Sequence, residues 1–299
     1  MKKQLLLIAV TATLLLAFAG QSARAFHPSG NTAGNDLWQQ DSITAERLLV
    51  KAASLPDTAN LMIFFARELL DIPYVGHTLD RSDTESMVIN LRELDCTTYI
   101  ETVLALSICA KQGKRGFHDY VAQLRQIRYK QGELSYENRL HYYQWWVCDN
   151  QDMGFVRQID APNPPFTAVQ TLKINYMSTF YDSYDMLRHH PERVASLKVL
   201  EDSTNGTRVR YIPTKALKNT KLLRNTIHDG DILALVTTKR ELDTSHLGIA
   251  VWHDDGLHLL NASLWRGKVI EEPLTLRQYM LRKKTRVGIR VARPTVNER

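Results

Sequence analysis

Apolar positions recur at helical spacing through the first half of the chain and alternate with polar ones through the last third. One helix is predicted from Ile43 to Ser54. A second starts at Pro56-Asp57, carries Leu61, Phe64, Phe65 and Leu69 on one side, and ends near Asp71, because Ile72-Pro73 disfavours further helix. Met87 to Leu91 reads as a short strand or extended segment. The stretch LDCTTYIETVLAL, Leu94 to Leu106, then opens a third helix at Asp95 or Cys96, with Ile100, Val103, Leu104 and Leu106 to Ile108 as its buried face. A fourth helix is expected from Phe117 to Ile127.

The dense aromatic segment Tyr136 to Trp146 has no clear periodicity. Pro162-Asn163-Pro164-Pro165 and Glu201 to Arg208 read as loops. Beyond them the period changes to two: Asp231 to Thr237, His246 to Trp252, Gly256 to Ala262 and Arg286 to Ala292 are predicted strands, with Asp254-Asp255-Gly256 as a hairpin turn. Helices first and an antiparallel sheet last make the fold class α+β. No repeat or interdomain linker interrupts residues 42–299, which read as a single domain with an elaboration around 111–225.

The N-terminus is of another kind. Lys2 and Lys3, an apolar run from Leu5 to Phe18, and Ala23-Arg24-Ala25 form a secretory signal peptide over residues 1–25, with a flexible mature N-terminus expected over 26–41. The leader has a bacterial look, so the expected location is the periplasm or the exterior, with no integral membrane segment in the mature chain. Losing Lys2, Lys3 and Arg24 from 38 basic against 32 acidic residues lowers the formal charge from +6 to +3. That is too mild to predict a nucleic-acid partner. The basic run Arg282-Lys283-Lys284 with Arg286, Arg290 and Arg293 is read as a solvated strand face.

Three cysteines, Cys96, Cys109 and Cys148, are too few for a disulfide scaffold, and the odd number leaves at least one thiol unpaired. Cys109 lies among apolar helical positions and reads as core; its pairing with Cys148 stays open. Cys96 falls at a predicted helix N-terminus, where unpaired N–H groups favour a thiolate, although a cysteine opening an apolar helix is often only a small packed residue. A thiol nucleophile needs a base and a group that orients the base. If the hairpin turns on Asp254-Asp255, His246 faces Ser263 and Asn261 lies two residues away on the same face; turning on Asp255-Gly256 keeps that parity. His258 has the opposite parity. His189-His190 precede Pro191 and do not share a face, so they read as a helix end or loop.

Zinc, nucleotide and serine-hydrolase chemistry lack support, because H-E-x-x-H, paired C-x-x-C, a glycine-rich phosphate loop and G-x-S-x-G are all missing from the sequence. No metal and no cofactor are expected.

Tyr74 in DIPYVGHT, Asp95-Cys96 ahead of a helix, Gly230-Asp231 opening a strand, and Ser245-His246-Leu247-Gly248-Ile249 resemble, in order, the motifs of the NlpC/p60 cysteine peptidases. INLRELDCTTYIETVLAL, IRYKQGELSYENRLHYYQWWVCDN and LDTSHLGIAVWHDDGLHLLNAS resemble one branch more closely, the exported bacterial N-acetylmuramoyl-L-alanine amidases. The likeness spans roughly Ile72 to Pro294. It implies a papain-like core of helices packed on an antiparallel sheet, a peptidoglycan or muropeptide substrate, Cys96 as nucleophile and His246 as general base. Asn261 takes the third position, where many relatives have histidine. Tyr74 would assist the oxyanion or contact substrate, and Asp95 would meet polar groups of the stem peptide. Arg139, His141, Tyr142, Trp146 and Asn150 form the candidate polar and aromatic wall. An endopeptidase cutting the γ-D-glutamyl bond and a catalytically silent wall-binding protein are the alternatives.

Overall fold

The computed structural model describes residues 32–297; the predicted signal peptide and residues 26–31 lie outside them. The helices are α1 (Thr32–Ala52), α2 (Leu61–Glu68), α3 (Cys96–Lys111), α4 (Phe117–Arg128), α5 (Tyr143–Asp152), α6 (Tyr176–Thr179), α7 (Asp185–Arg188), α8 (Pro191–Thr204), α9 (Lys221–Thr226) and α10 (Leu276–Leu281). The strands are β1 (Val156–Ile159), β2 (Ala168–Thr171), β3 (Arg208–Pro213), β4 (Ile232–Thr237), β5 (Thr244–Trp252), β6 (Leu257–Ser263), β7 (Lys268–Glu271) and β8 (Arg286–Pro294). All strand pairs are antiparallel. The sheet runs β2-β3-β8-β4-β5-β6-β7, and β1 also pairs with β8. The architecture is mixed helix and antiparallel sheet, α+β.

Period-two alternation divides the sheet between two cores. Ile232, Ala234, Leu247, Ile249, Val251, Leu260 and Ala262 join the cluster built by α1 to α4. Their neighbours Leu233, Leu235, Ala250 and Leu259 turn the other way, with Ile289 and Val291, against Leu276, Tyr279 and Met280 around α10. The central helix α3 is buried on all sides from Thr98 to Cys109, not on one face alone. Its one buried carboxylate, Glu101, meets Arg128 of α4 at 2.7 Å.

Three expectations are corrected. Residues 32–41 are helical: Trp38 packs edge-on to Phe117 at 5.1 Å, and buried Asp41 accepts the Leu91 N–H and pairs with Arg92. Those partners lie far along the chain, so the polar composition of the segment misleads. Met87 to Leu91 joins no strand ladder, which leaves the extended-segment alternative, whereas α2 starts at Leu61 rather than at Pro56-Asp57, after an Asn60 cap that accepts the Ile63 N–H at 3.1 Å. Only residues 205–207 of the predicted Glu201 to Arg208 loop are loop, because α8 runs to Thr204 and β3 starts at Arg208.

The elaboration carries strands that local pattern does not reveal. β1 and β3 extend the main sheet through β8, and a small core of Tyr136, Tyr142, Ile174, Met177, Leu187 and Leu197 sits beneath α8. Among the described residues no helix is long and apolar enough to cross a membrane.

Candidate active site

Asp95 sets the position of Cys96. Its Oδ1 accepts the Thr97 and Thr98 N–H groups at 3.0 and 2.8 Å, and Thr98 Oγ1 accepts the Asp95 N–H at 2.9 Å. This reciprocal cap starts α3 at Cys96. Backbone pairing across Pro73 to Val75 and Leu94 brings Tyr74 beside the cysteine. Burial raises the Tyr74 hydroxyl above its ordinary pKa, with Cys96 and Asp95 adding to the effect, so it stays a proton donor.

Two local effects oppose the expected thiolate preference in the resting protein. Burial first, then the Asp95 charge, pushes the Cys96 thiol up to about 12, against smaller help from the Leu247 N–H, the Thr97 side chain and the Cys96 N–H. The cap that builds the helix start also occupies its Thr97 and Thr98 N–H groups. Cys109 is buried among apolar neighbours and Cys148 accepts from Gln144; both thiols are free.

His246 is the third residue of β5, and Asn261 is buried in β6. The observed register, Trp252 against Leu257 through Ile249 against Leu260, is that of the Asp254-Asp255 turn, and His253 and Gly256 bond to each other across it. His246 Nε2 lies 2.9 Å from Asn261 Oδ1. Asn261 Nδ2 donates to the carbonyls of Leu259 (3.2 Å) and Ile270 (3.5 Å), which assigns its oxygen to the imidazole. Nε2 therefore carries the proton and Nδ1 the lone pair. Burial lowers His246 to about 4; Asn261 opposes this, and the Arg286 and Lys283 charges add to it. A neutral imidazole thus accompanies a neutral thiol. His258 is buried on other partners, Glu272 O and Asp255.

Gly248, two residues beyond His246, permits the close approach of β5 and β6. A Cβ there would lie 2.5 Å from Leu259 Cδ1 and 2.9 Å from the Leu260 carbonyl oxygen.

Cys96, Ser245 and His246 line two cavities at once. The first, about 320 Å³, is walled by His141, Tyr142, Tyr143, Trp146, Tyr176 and Tyr184. Among the described residues, the buried Tyr143 hydroxyl and Trp146 Nε1 have no hydrogen-bond partner. His141 donates through Nε2 to the Tyr136 carbonyl at 2.8 Å, and burial, with the nearby Arg139 charge, lowers it to about 3. The Tyr142 hydroxyl donates to Glu201 of α8 at 2.6 Å and accepts the Met177 N–H. The elaboration is thereby clamped to this wall.

Not every predicted wall residue reaches the cavity. Arg139 is buried in an ion pair with Asp80, with Glu85 at 3.6 Å, and Asn150 is fully buried, donating to the Ile127 and Trp146 carbonyls. Neither is among the lining residues. Both support the wall from behind. Asp95 is chiefly a helix cap.

The second cavity, about 510 Å³, is lined by Tyr74, Leu264, Trp265, Tyr279, Arg282, Lys283 and Arg286 besides the three shared residues. Its cations belong to the basic run read above as a solvated strand face; Arg282, Lys283 and Lys284 are exposed but precede β8, while the strand members Arg286, Arg290 and Arg293 are half-buried or buried. Arg290 is buried and donates to Gln144 and Gln158, Arg293 pairs with Asp231, and Arg282, Lys283 and Arg286 face the cavity. Period-two patterning could not find this, because Arg282 and Lys283 precede β8 rather than belonging to it. The only local signal was an unusual density of cations.

A family model described as AmiA-like, N-acetylmuramoyl-L-alanine amidase-like, matches residues 64–289. Among solved structures, an N-acetylmuramoyl-L-alanine amidase from Bacteroides uniformis is 35% identical with a TM-score of 0.72, over 78% of this chain and 97% of that one. A Bacteroides fragilis protein provisionally named a xylanase is 37% identical with a TM-score of 0.71, over 77% and 98%. A Legionella pneumophila protein at 23% identity, TM-score 0.70, over 88% and 97%, shares the fold. No curated protein matches the chain. With the family model covering most of the chain and the B. uniformis amidase matched over nearly its whole length, this chain belongs to the N-acetylmuramoyl-L-alanine amidase-like family.

Proposed function

We propose that this protein hydrolyses the amide joining the lactyl group of N-acetylmuramic acid to L-alanine, in peptidoglycan or its fragments, with Cys96 as nucleophile in a papain-like core of the NlpC/p60 type. The carrying observation is the 2.9 Å bond from His246 Nε2 to Asn261 Oδ1, beside a cysteine that shares both cavities with the histidine.

His246 Nδ1 takes the thiol proton as Sγ attacks the lactyl carbonyl carbon. The resting pair is neutral, so charge separation coincides with attack. The Cys96 N–H and the Tyr74 hydroxyl serve as donors to the oxyanion. The imidazolium then protonates the leaving L-alanine nitrogen, which gives a thioester. Water, deprotonated by His246, hydrolyses it to a free lactyl carboxylate and the thiol. Asn261 orients the ring through its carbonyl and cannot neutralise the imidazolium. His141, Tyr142 and Trp146 belong to the face that receives the uncharged sugar, where aromatic rings offer a stacking surface. Residues 1–25 read as a leader, so the work is done after export.

A glycosidase reading, raised by the B. fragilis name, lacks the carboxylate pair that such chemistry uses. The cationic cavity has no Asp or Glu in its lining, and the aromatic one has only Asp243, which is buried and accepts the Gln144 and Thr244 N–H groups.

The test is incubation of the purified protein and its Cys96→Ala variant with defined muropeptides, with products read by mass spectrometry. Release of a peptide beginning with L-alanine, lost in the variant, is the expected result. Release of a peptide beginning with the diamino acid, with L-Ala-D-Glu left on the sugar, would mark the endopeptidase instead. Undiminished turnover by Cys96→Ala would overturn the thiol mechanism.

A further inference from the structure

The cationic cavity contrasts with six arginines elsewhere in the molecule. Arg67, Arg92, Arg128, Arg139, Arg266 and Arg293 each meet a carboxylate. Arg282, Lys283 and Arg286 converge on one cavity beside Cys96, with no acidic residue in its lining. Arg282 stacks over the exposed Trp265 ring at 4.1 Å, with Arg266 over the same ring at 3.9 Å. Arg286 is held by the Tyr279 carbonyl (3.1 Å) and hydroxyl (3.2 Å) and lies over that ring at 4.2 Å. Two guanidiniums are thus oriented by aromatic and neutral partners, which leaves their charge unspent.

Such a cluster carries a cost. Like charges repel, and Arg286 and Lys283 disfavour protonation of His246. An arriving anion removes both penalties. The two halves of the proposed substrate differ in this respect: the sugar is uncharged, and the stem peptide beyond L-alanine carries free carboxylates. The opposite cavity offers aromatic rings and a neutral His141.

We propose that the cavity between the β6–β7 turn and the end of α10 is the subsite for the stem peptide, and that Arg282, with Lys283 and Arg286, recognises its free carboxylates. This rests on the amidase reading for the identity of the substrate. Substrate then lies across Cys96 with its peptide toward Trp265 and its sugar toward Trp146. Trp265 is a positioning residue that holds the Arg282 guanidinium ready for a bidentate contact.

The experiment uses the full chain as Cys96→Ala, which binds without turnover. A sugar-free stem tripeptide with free carboxylates and its amidated counterpart are titrated calorimetrically. The expected result is a roughly tenfold or greater preference for the free peptide. Arg282→Gln should abolish that preference, and Arg282→Lys should restore part of it. Equal binding of the two peptides, no binding of either, or an Arg282→Gln variant with unchanged preference overturns the proposal. Because the comparison is between two ligands on one protein, a general loss of folding cannot mimic it. The muropeptide digest judges the amidase reading separately, since failure there leaves this binding result standing on its own.

Discussion

His246 has both ring nitrogens assigned before any substrate arrives, one donating to Asn261 and one holding a lone pair. Its depressed pKa, about 4, has a measurable consequence. The base must be neutral to accept the thiol proton, so kcat/KM should persist as pH falls and decline only near pH 4. Lys283→Gln removes a positive charge that disfavours imidazolium. The His246 pKa should therefore rise, and the acid limb of the pH–rate profile should move up by about half a unit. A limb that stays put or moves down argues against His246 as the titrating group. Cys96 and Asn261 were legible as candidates because residue type, hairpin parity and ordered motifs agreed. The neutral state of the pair was not, because it depends on burial and on an Asp95 cap that competes for the N–H groups a thiolate would use.

At the scale of elements, two contacts hold the site in register. Gly248→Ala would drive a Cβ against Leu259 and the Leu260 carbonyl, where the backbone oxygen cannot yield as a side chain can. A loss of about 1–3 kcal/mol is expected from urea unfolding, with reduced activity because β5 also carries His246. In α3, Glu101→Ala leaves Arg128 buried without its carboxylate; the expected cost is about 3–5 kcal/mol by the same measurement. A change below about 1 kcal/mol would mean that water or another carboxylate reaches Arg128. The helix carrying Cys96 was readable from its periodicity and its start, but its burial on every side was not. That required α4 and the sheet to close over residues whose local pattern is mixed.

For the whole molecule, the two cavity histidines tie stability to pH. His141 and His246 fall from an ordinary 6.5 to about 3 and about 4 in the folded chain. Above pH 6.5 both states leave them neutral, and they contribute nothing to pH dependence. As pH falls below 6.5 the unfolded chain takes up protons that the folded one refuses, so stability drops until the folded pKa values are reached. By pH 5 the loss should be about 2 kcal/mol for each histidine, read from urea midpoints at pH 7 and 5. If the His141→Gln/His246→Gln double variant keeps the whole acid slope, other groups are responsible. The elaboration takes part in this, since α8 holds the His141 wall through Glu201 and Tyr142.

By itself the sequence determined the α+β class, the start of α3 at Asp95 or Cys96, the parity that puts His246 and Asn261 on one face, and the order of motifs that marks the family. These are local or nearly local properties, set by period, caps and short turns. The tertiary structure alone decided the rest. It turned residues 32–41 into helix through partners such as Phe117 and Leu91, and it drew β1 and β3 onto β8 from segments with weak patterns. It withdrew Arg139 and Asn150 behind the wall, and it gathered Arg282, Lys283 and Arg286 into a cavity beside Cys96. Burial and convergence from distant parts of the chain govern each of these, and neither quantity exists until the chain has folded.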